Sequence, residues 1–146
     1  MSYVDKSLIA GETVVYRTHL HWIVFLWPVL ITAIAVACLF YGLVHVAEVL
    51  AAIALVLWIA RYLVYIASEF AITSKRVIIK VGVMQRRTLE LQLAKVEAVA
   101  VTQGLLGQLF GCGSILVTGT GGTRESFSNI GSPLEFRKAL QTASMS

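Results

Sequence analysis

The groups able to do chemistry are few, and their spacing does not gather them into a site. His19 and His21 lie two apart, so on a strand they share a face. A metal site needs further ligands, and the candidates elsewhere are Asp5, Glu12 and His45, the last of them expected across a hydrophobic span. No metal site is expected. Glu90, Glu97, Glu125 and Glu135 are scattered among strand-like and helix-like segments with no basis for pairing. There is no Ser/His/Asp or Cys/His set, so the chain does not read as an enzyme and implies no cofactor. Gly119-Thr120-Gly121-Gly122 lacks the Gly-Lys-Ser/Thr ending of a phosphate-binding loop and no helix follows it, which makes it a hairpin turn. Cys38 falls in an apolar run and Cys112 well outside it, so neither a disulfide nor a metal pair is expected.

The remaining positive signal is basic. Lys75, Arg76, Lys80, Arg86 and Arg87 follow closely on the apolar block. Asp5 and Glu12 balance Lys6 and Arg17 before that block, and Glu48 balances Arg61 within it, so the net charge of +4 lies entirely beyond residue 68. A surplus this small does not indicate nucleic-acid binding. It suits a domain held beside anionic lipid, where each cation contributes about 1 kcal/mol. On this reading the five basic residues are candidates for headgroup contact.

What positions them is a hydrophobic block. The apolar fraction is 58% and the mean hydropathy +0.80; a soluble domain has about 45–50% on a similar count. The excess is concentrated in residues 22–67. Residues 22–44 form a run of about 23, roughly 35 Å as a helix, enough to cross a ~30 Å hydrocarbon core. Residues 46–67 form a second run. The link between them is so short that the two spans must be antiparallel, which places both chain ends in one compartment. The flanking Lys and Arg, absent from the connecting turn, put that compartment on the cytoplasmic side. Trp22 and Trp27 open the first span, and Trp58, Tyr62 and Tyr65 close the second, as an aromatic belt at one interface. Arg61 and Glu48 are the intramembrane polar residues. Arg61 is about 10 Å of helix from Ser68, so its guanidinium can snorkel to headgroups, or else meet a second subunit or a lipid phosphate.

The remainder reads as short strands and turns: residues 69–73, 76–81, 84–93, 96–103, 114–118 and 123–130, with 13–18 as a further strand before the membrane. Between the fourth and fifth of these lies a glycine-punctuated stretch holding Leu105, Leu106, Leu109 and Phe110. A helix ends the chain: Ser132-Pro133-Leu134-Glu135 reads as a capping box with Pro at the first turn, and Phe136, Ala139, Leu140 and Ala143 make one apolar face. The class is therefore an α+β membrane protein. Residues 1–21 supply the first strand, residues 22–67 the helical hairpin and residues 68–146 the domain, with about seven strands in all.

Glu69-Phe70-Ala71-Ile72-Thr73-Ser74-Lys75-Arg76-Val77-Ile78 with Gly82 resembles the E-x-x-x-T-x-x-R opening of the bacterial pleckstrin-homology-like (PH-like) membrane domains. Residues 101–113 resemble that family's Q-s-x-x-G-x-x-x-G-x-G segment, residues 132–136 its closing helix, and Gly11-Glu12 with His19 and Trp22 its stretch before the first span. The resemblance implies a PH-like sandwich or barrel of two sheets closed by a C-terminal helix. It implies a bacterial inner-membrane setting and an assembly module, and no settled activity. Three functions are therefore expected of the chain: a non-enzymatic scaffold or adaptor assembling with itself or with another membrane protein, a sensor of anionic lipid headgroups, or a subunit of an oligomeric pore with Arg61 on the path. Partners would be membrane lipid and other copies or another membrane protein, with no nucleic acid.

Overall fold

The structure, a computed structural model, describes residues 2–83 and 86–146. Met84, where the sequence reading begins its third strand, lies outside them.

The helical hairpin is as expected, with shifted ends. A 3-10 turn, Trp22–Phe25, leads into α2, Leu26–Phe40; α3 runs Val44–Ala67. The 3-10 turn and α2 together, Trp22–Phe40, and α3 by itself are each long and apolar enough to cross a membrane. The first span stops before residue 44 because Gly42 takes a left-handed φ of +75° and reverses the chain within an apolar stretch. Ala35, Ala47 and Ala54 are buried at the seam, where their small side chains let the two helices approach. Most of the larger apolar side chains face outward.

The hairpin is inserted between two adjacent strands of one sheet. β1, Val14–Thr18, precedes it and β2, Glu69–Thr73, follows it. The two pair antiparallel, Thr18 with Phe70 and Val14 with Thr73. β3, Arg76–Val81, and β4, Arg87–Gln92, complete a sheet of order β1-β2-β3-β4. A second sheet has the order β5-β6-β7, from Val96–Thr102, Cys112–Gly119 and Arg124–Gly131. The seven strands match the expected number. The glycine run forms the β6–β7 turn, where Gly121 at φ +96° and Gly122 at φ +84° adopt backbone that side chains disfavour.

Period-two alternation explains the core. Phe70 and Ile72 of β2 and Val77 and Ile79 of β3 face Ile115, Val117, Phe127 and Ile130 of the second sheet. The final helix, α5, Pro133–Met145, closes the open end with Phe136 and Leu140, both essentially fully buried. The apolar face expected of this helix is the one buried. Its capping box does not form: Ser132 sits at φ 53°, ψ 58°, and its side chain caps nothing. The chain turns too sharply from β7 into α5 for an extended N-cap, so the Ser132 carbonyl accepts the Phe136 N–H instead.

Two short helices were not legible in the sequence. α1, Tyr3–Ser7, covers the outer face of β2 and β3, placing Val4 on Ala71 and Ile78. This is why β2 is buried on both faces although the sheet is antiparallel. α4, Leu105–Phe110, occupies the glycine-punctuated stretch. It is pressed on β6 through Gly107, where a Cβ would stand 2.5 Å from the Cys112 carbonyl oxygen. Gly111, left-handed at φ +74°, ends it.

Candidate functional site

Strand direction sorts the basic residues into two groups. β2 leaves the end of α3 at Glu69 and runs away from the hairpin for five residues, about 16 Å. The β2–β3 turn, with Lys75 and Arg76, is therefore at the far end of the domain. β3 returns, so Lys80, paired with Glu69, and Arg87, paired with Val81, are at the hairpin end, with Arg86 beside Arg87. The five residues grouped by sequence proximity do not form one surface.

At the far end Arg76 is the hub of an internal lock. Its Nε lies 3.0 Å from Glu12 Oε1 and its Nη2 3.2 Å from Glu12 Oε2, a two-pronged ion pair. Nη1 reaches Glu90 Oε2 at 2.7 Å, and Nη2 also donates to the Ser7 carbonyl. The Glu12 side chain is fully buried and that of Arg76 only 16% exposed. The Ile9 N–H donates to Glu12 at 2.9 Å and the Thr73 hydroxyl at 2.5 Å. Burial alone would raise the Glu12 pKa. The Ile9 and Thr73 donors and the Arg76 charge outweigh it and lower the value from 4.5 to about 2. Thr73 Oγ1 in turn accepts the Arg76 N–H at 3.0 Å, which shapes the tight turn. The Thr-x-x-Arg spacing thus carries a specific geometry: threonine forms the turn and arginine reaches past the end of β2 to Glu12, just before β1. With its guanidinium held by Glu12 and Glu90, Arg76 is a structural tie.

At the hairpin end, Glu69 receives the Ser2 hydroxyl at 2.5 Å and the Tyr3 and Val4 N–H groups at 3.2 Å each. Burial would raise its pKa; these donors and the nearby Arg17 hold it below the usual carboxylate value. The carboxylate anchors α1 at the point where α3 enters the sheet. Lys80 lies over the Tyr3 ring, 4.8 Å from its centroid. Arg87 pairs with Glu125 at 3.1 Å. Arg61 and Arg87 line one cavity of about 240 Å³ with Val24, Val81 and residues 126–129. Arg61 is thereby set beside the domain's hairpin end. A larger apolar groove, about 640 Å³, runs alongside it between α3 and Val81, Gly82 and Val83, with Arg87 at its rim.

The other residues singled out are spread along the hairpin. Glu48 sits at the opposite tip, 3.6 Å from His45, with both side chains largely exposed. Trp58 stacks on Phe25 with centroids 5.5 Å apart, Tyr65 meets the same ring at 5.4 Å, and the Trp58 indole N–H donates to Thr32 at 3.2 Å. Phe25 is thus the ring that joins the two spans, and sequence reading did not pick it out. Trp27 and Tyr62 point outward. Trp22 packs edge-on against Phe110 of α4 with centroids 5.2 Å apart. Among the described residues no group of three His, Cys, Asp or Glu could hold a metal ion.

Two packed antiparallel sheets of four and three strands closed by a C-terminal helix define a PH-like domain, here carrying an inserted apolar helical hairpin. The family model of the bacterial PH domain matches residues 23–144, most of the chain, and the protein belongs to that family. Curated proteins searched for similarity give no match.

Proposed function

We propose that the protein is a non-catalytic scaffold of the bacterial cytoplasmic membrane, crossing it twice with both ends cytoplasmic, and assembling with itself or with another membrane protein. The observation that carries the reading is the insertion of the hairpin between β1 and β2, paired neighbours in one sheet. A domain joined to its anchor by two adjacent strands has a fixed orientation to the bilayer, as a module that presents one face to partners requires. Support also comes from the hairpin's surface. Ala33, Ala37, Ala51 and Ala52 remain exposed after the hairpin has closed and leave room for further helices.

Chemical cross-linking in native membranes, followed by purification in mild detergent and mass measurement of the intact particle, tests the reading. The expected result is a particle of two or more copies, or one containing a second membrane protein. A single copy in both measurements would count against it.

Contact with anionic headgroups is a second, compatible role, favoured by the placement of Lys80, Arg86 and Arg87 at the hairpin end with Arg61 alongside Arg87. A pore subunit has no comparable observation in its favour, since Arg61 lines a cavity shared with the domain.

A further inference from the structure

The fold leaves the apolar side of α4 uncovered. Leu105 is 88% exposed, Leu109 76%, Leu106 55% and Phe110 38%. At about 100° per residue these four occupy one arc of roughly 140°. Gly107 lies outside that arc, buried against the Cys112 carbonyl, so the helix is clamped from behind with its leucines outward. Gly111 closes the clamp by accepting the Ser132 N–H. No Asp, Glu, Lys or Arg occurs between Glu97 and Arg124, so placing this segment in an apolar medium would strip water from no charge. Contiguous exposed apolar surface of this kind marks an interaction site.

The occupant follows from what the patch adjoins. Phe110 meets Trp22 edge-on at 5.2 Å. Trp22 is half exposed and opens the turn into α2, the depth at which tryptophan settles between headgroups and hydrocarbon. The apolar side of α4 is therefore continuous with the outward surface of the hairpin, at its domain end.

We propose that α4 is a bilayer-interface wedge. Leu105, Leu106 and Leu109 insert at the boundary between headgroups and acyl chains of the same membrane the hairpin spans, giving the domain a third attachment besides its two covalent ones. The inference rests on the membrane-anchored reading above. The wedge presses the domain onto the bilayer and restrains it from tilting about β1 and β2.

Spin-label accessibility in the full chain, reconstituted into phosphatidylcholine–phosphatidylglycerol vesicles, tests it. In a Cys38→Ala chain a nitroxide is placed on Ile34→Cys, an outward position well inside α2, on Leu105→Cys or on Leu109→Cys. Cys112 is 3% exposed and stays unlabelled. Thr120→Cys, on the β6–β7 turn, is the water reference. Collision with oxygen, which concentrates in lipid, is compared with collision with a water-soluble nickel chelate. The expected result is that labels at 105 and 109 favour oxygen, less strongly than the one at 34, with nickel collision about fivefold or more below the reference. Nickel collision equal to the reference would overturn the proposal, and so would low collision with both reagents, which would mean cover by a second copy or another protein. Position 34 in lipid with 105 and 109 in water overturns the wedge alone. Position 34 in water overturns the anchoring and the wedge together.

Discussion

Replacing Arg76 with methionine should cost the domain about 3–5 kcal/mol, because it leaves the Glu12 carboxylate buried without its counter-charge. The variant keeps much of the volume of the arginine stem and removes both prongs of the pair, the bond to Glu90 and the tie to the Ser7 carbonyl. In differential scanning fluorimetry of the full chain in one detergent, the transition should fall by more than about 10 °C. Adding Glu12→Gln to Arg76→Met should restore part of the loss, since a neutral amide is less costly to bury than an unpaired carboxylate. A transition unchanged by Arg76→Met would show that the lock contributes nothing.

The same lock sets the acid limit. Glu12 titrates near 2 in the folded chain against an ordinary 4.5. A carboxylate with a depressed folded value contributes stability that is fully present above about 4.5 and is lost as pH falls toward about 2, to a total of about 3 kcal/mol. Glu69, also lowered, acts in the same direction. In the Arg76→Met chain burial is no longer opposed by the ion pair, so the acid loss should flatten or reverse. This outcome separates a charge effect from simple loss of packing.

Neutralising the hairpin-end cations together, as Lys80→Gln/Arg86→Gln/Arg87→Gln, should lower the preference for anionic lipid by about a hundredfold, at about 1 kcal/mol per cation near the surface. Native mass spectrometry of the protein released from mixed phosphatidylcholine–phosphatidylglycerol nanodiscs reads the retained lipid directly. The fold should survive, because the Arg87–Glu125 pair is exposed and such pairs contribute less than about 1 kcal/mol. Lys75→Gln is the decisive control. It removes the same charge at the far end of the sheet and should leave lipid retention unchanged. If Lys75→Gln loses as much as one of the others, net charge and not placement governs the preference.

That contrast marks where sequence reading stops. Charge and proximity in sequence put Lys75 and Arg76 nearest the membrane. The strand direction, which depends on how β2 leaves α3, puts them at the end of the sheet away from the hairpin. Arg76 looked like a surface cation because its partner Glu12 is 64 positions earlier, across the whole hairpin. The T-x-x-R spacing held the clue, since a threonine that shapes a tight turn fixes the position of the residue three ahead. The spans were plain, being long uncharged runs, but the end of the first was not, because the reversal at Gly42 is embedded in apolar residues on both sides. The strands were legible from alternation, with β2 buried on both faces only because α1 covers it. α1 and α4 were missed for one reason: five or six residues are too few to establish a helical period. The apolar face of α5 was readable, whereas its cap was not, since the left-handed Ser132 is set by the turn out of β7.

An antiparallel membrane hairpin inserted into a PH-like domain should hold that domain to one face of the bilayer. Cysteine labelling in intact cells tests this most directly. Single cysteines are placed at Ser2, at Thr120 and at Tyr41 on the hairpin tip, in a chain lacking Cys38, and exposed to a membrane-impermeant maleimide before and after permeabilisation. Tyr41→Cys should react in intact cells, and Ser2→Cys and Thr120→Cys only after permeabilisation. Reaction of Ser2→Cys and Thr120→Cys from opposite sides, or of all three from one side, would contradict it.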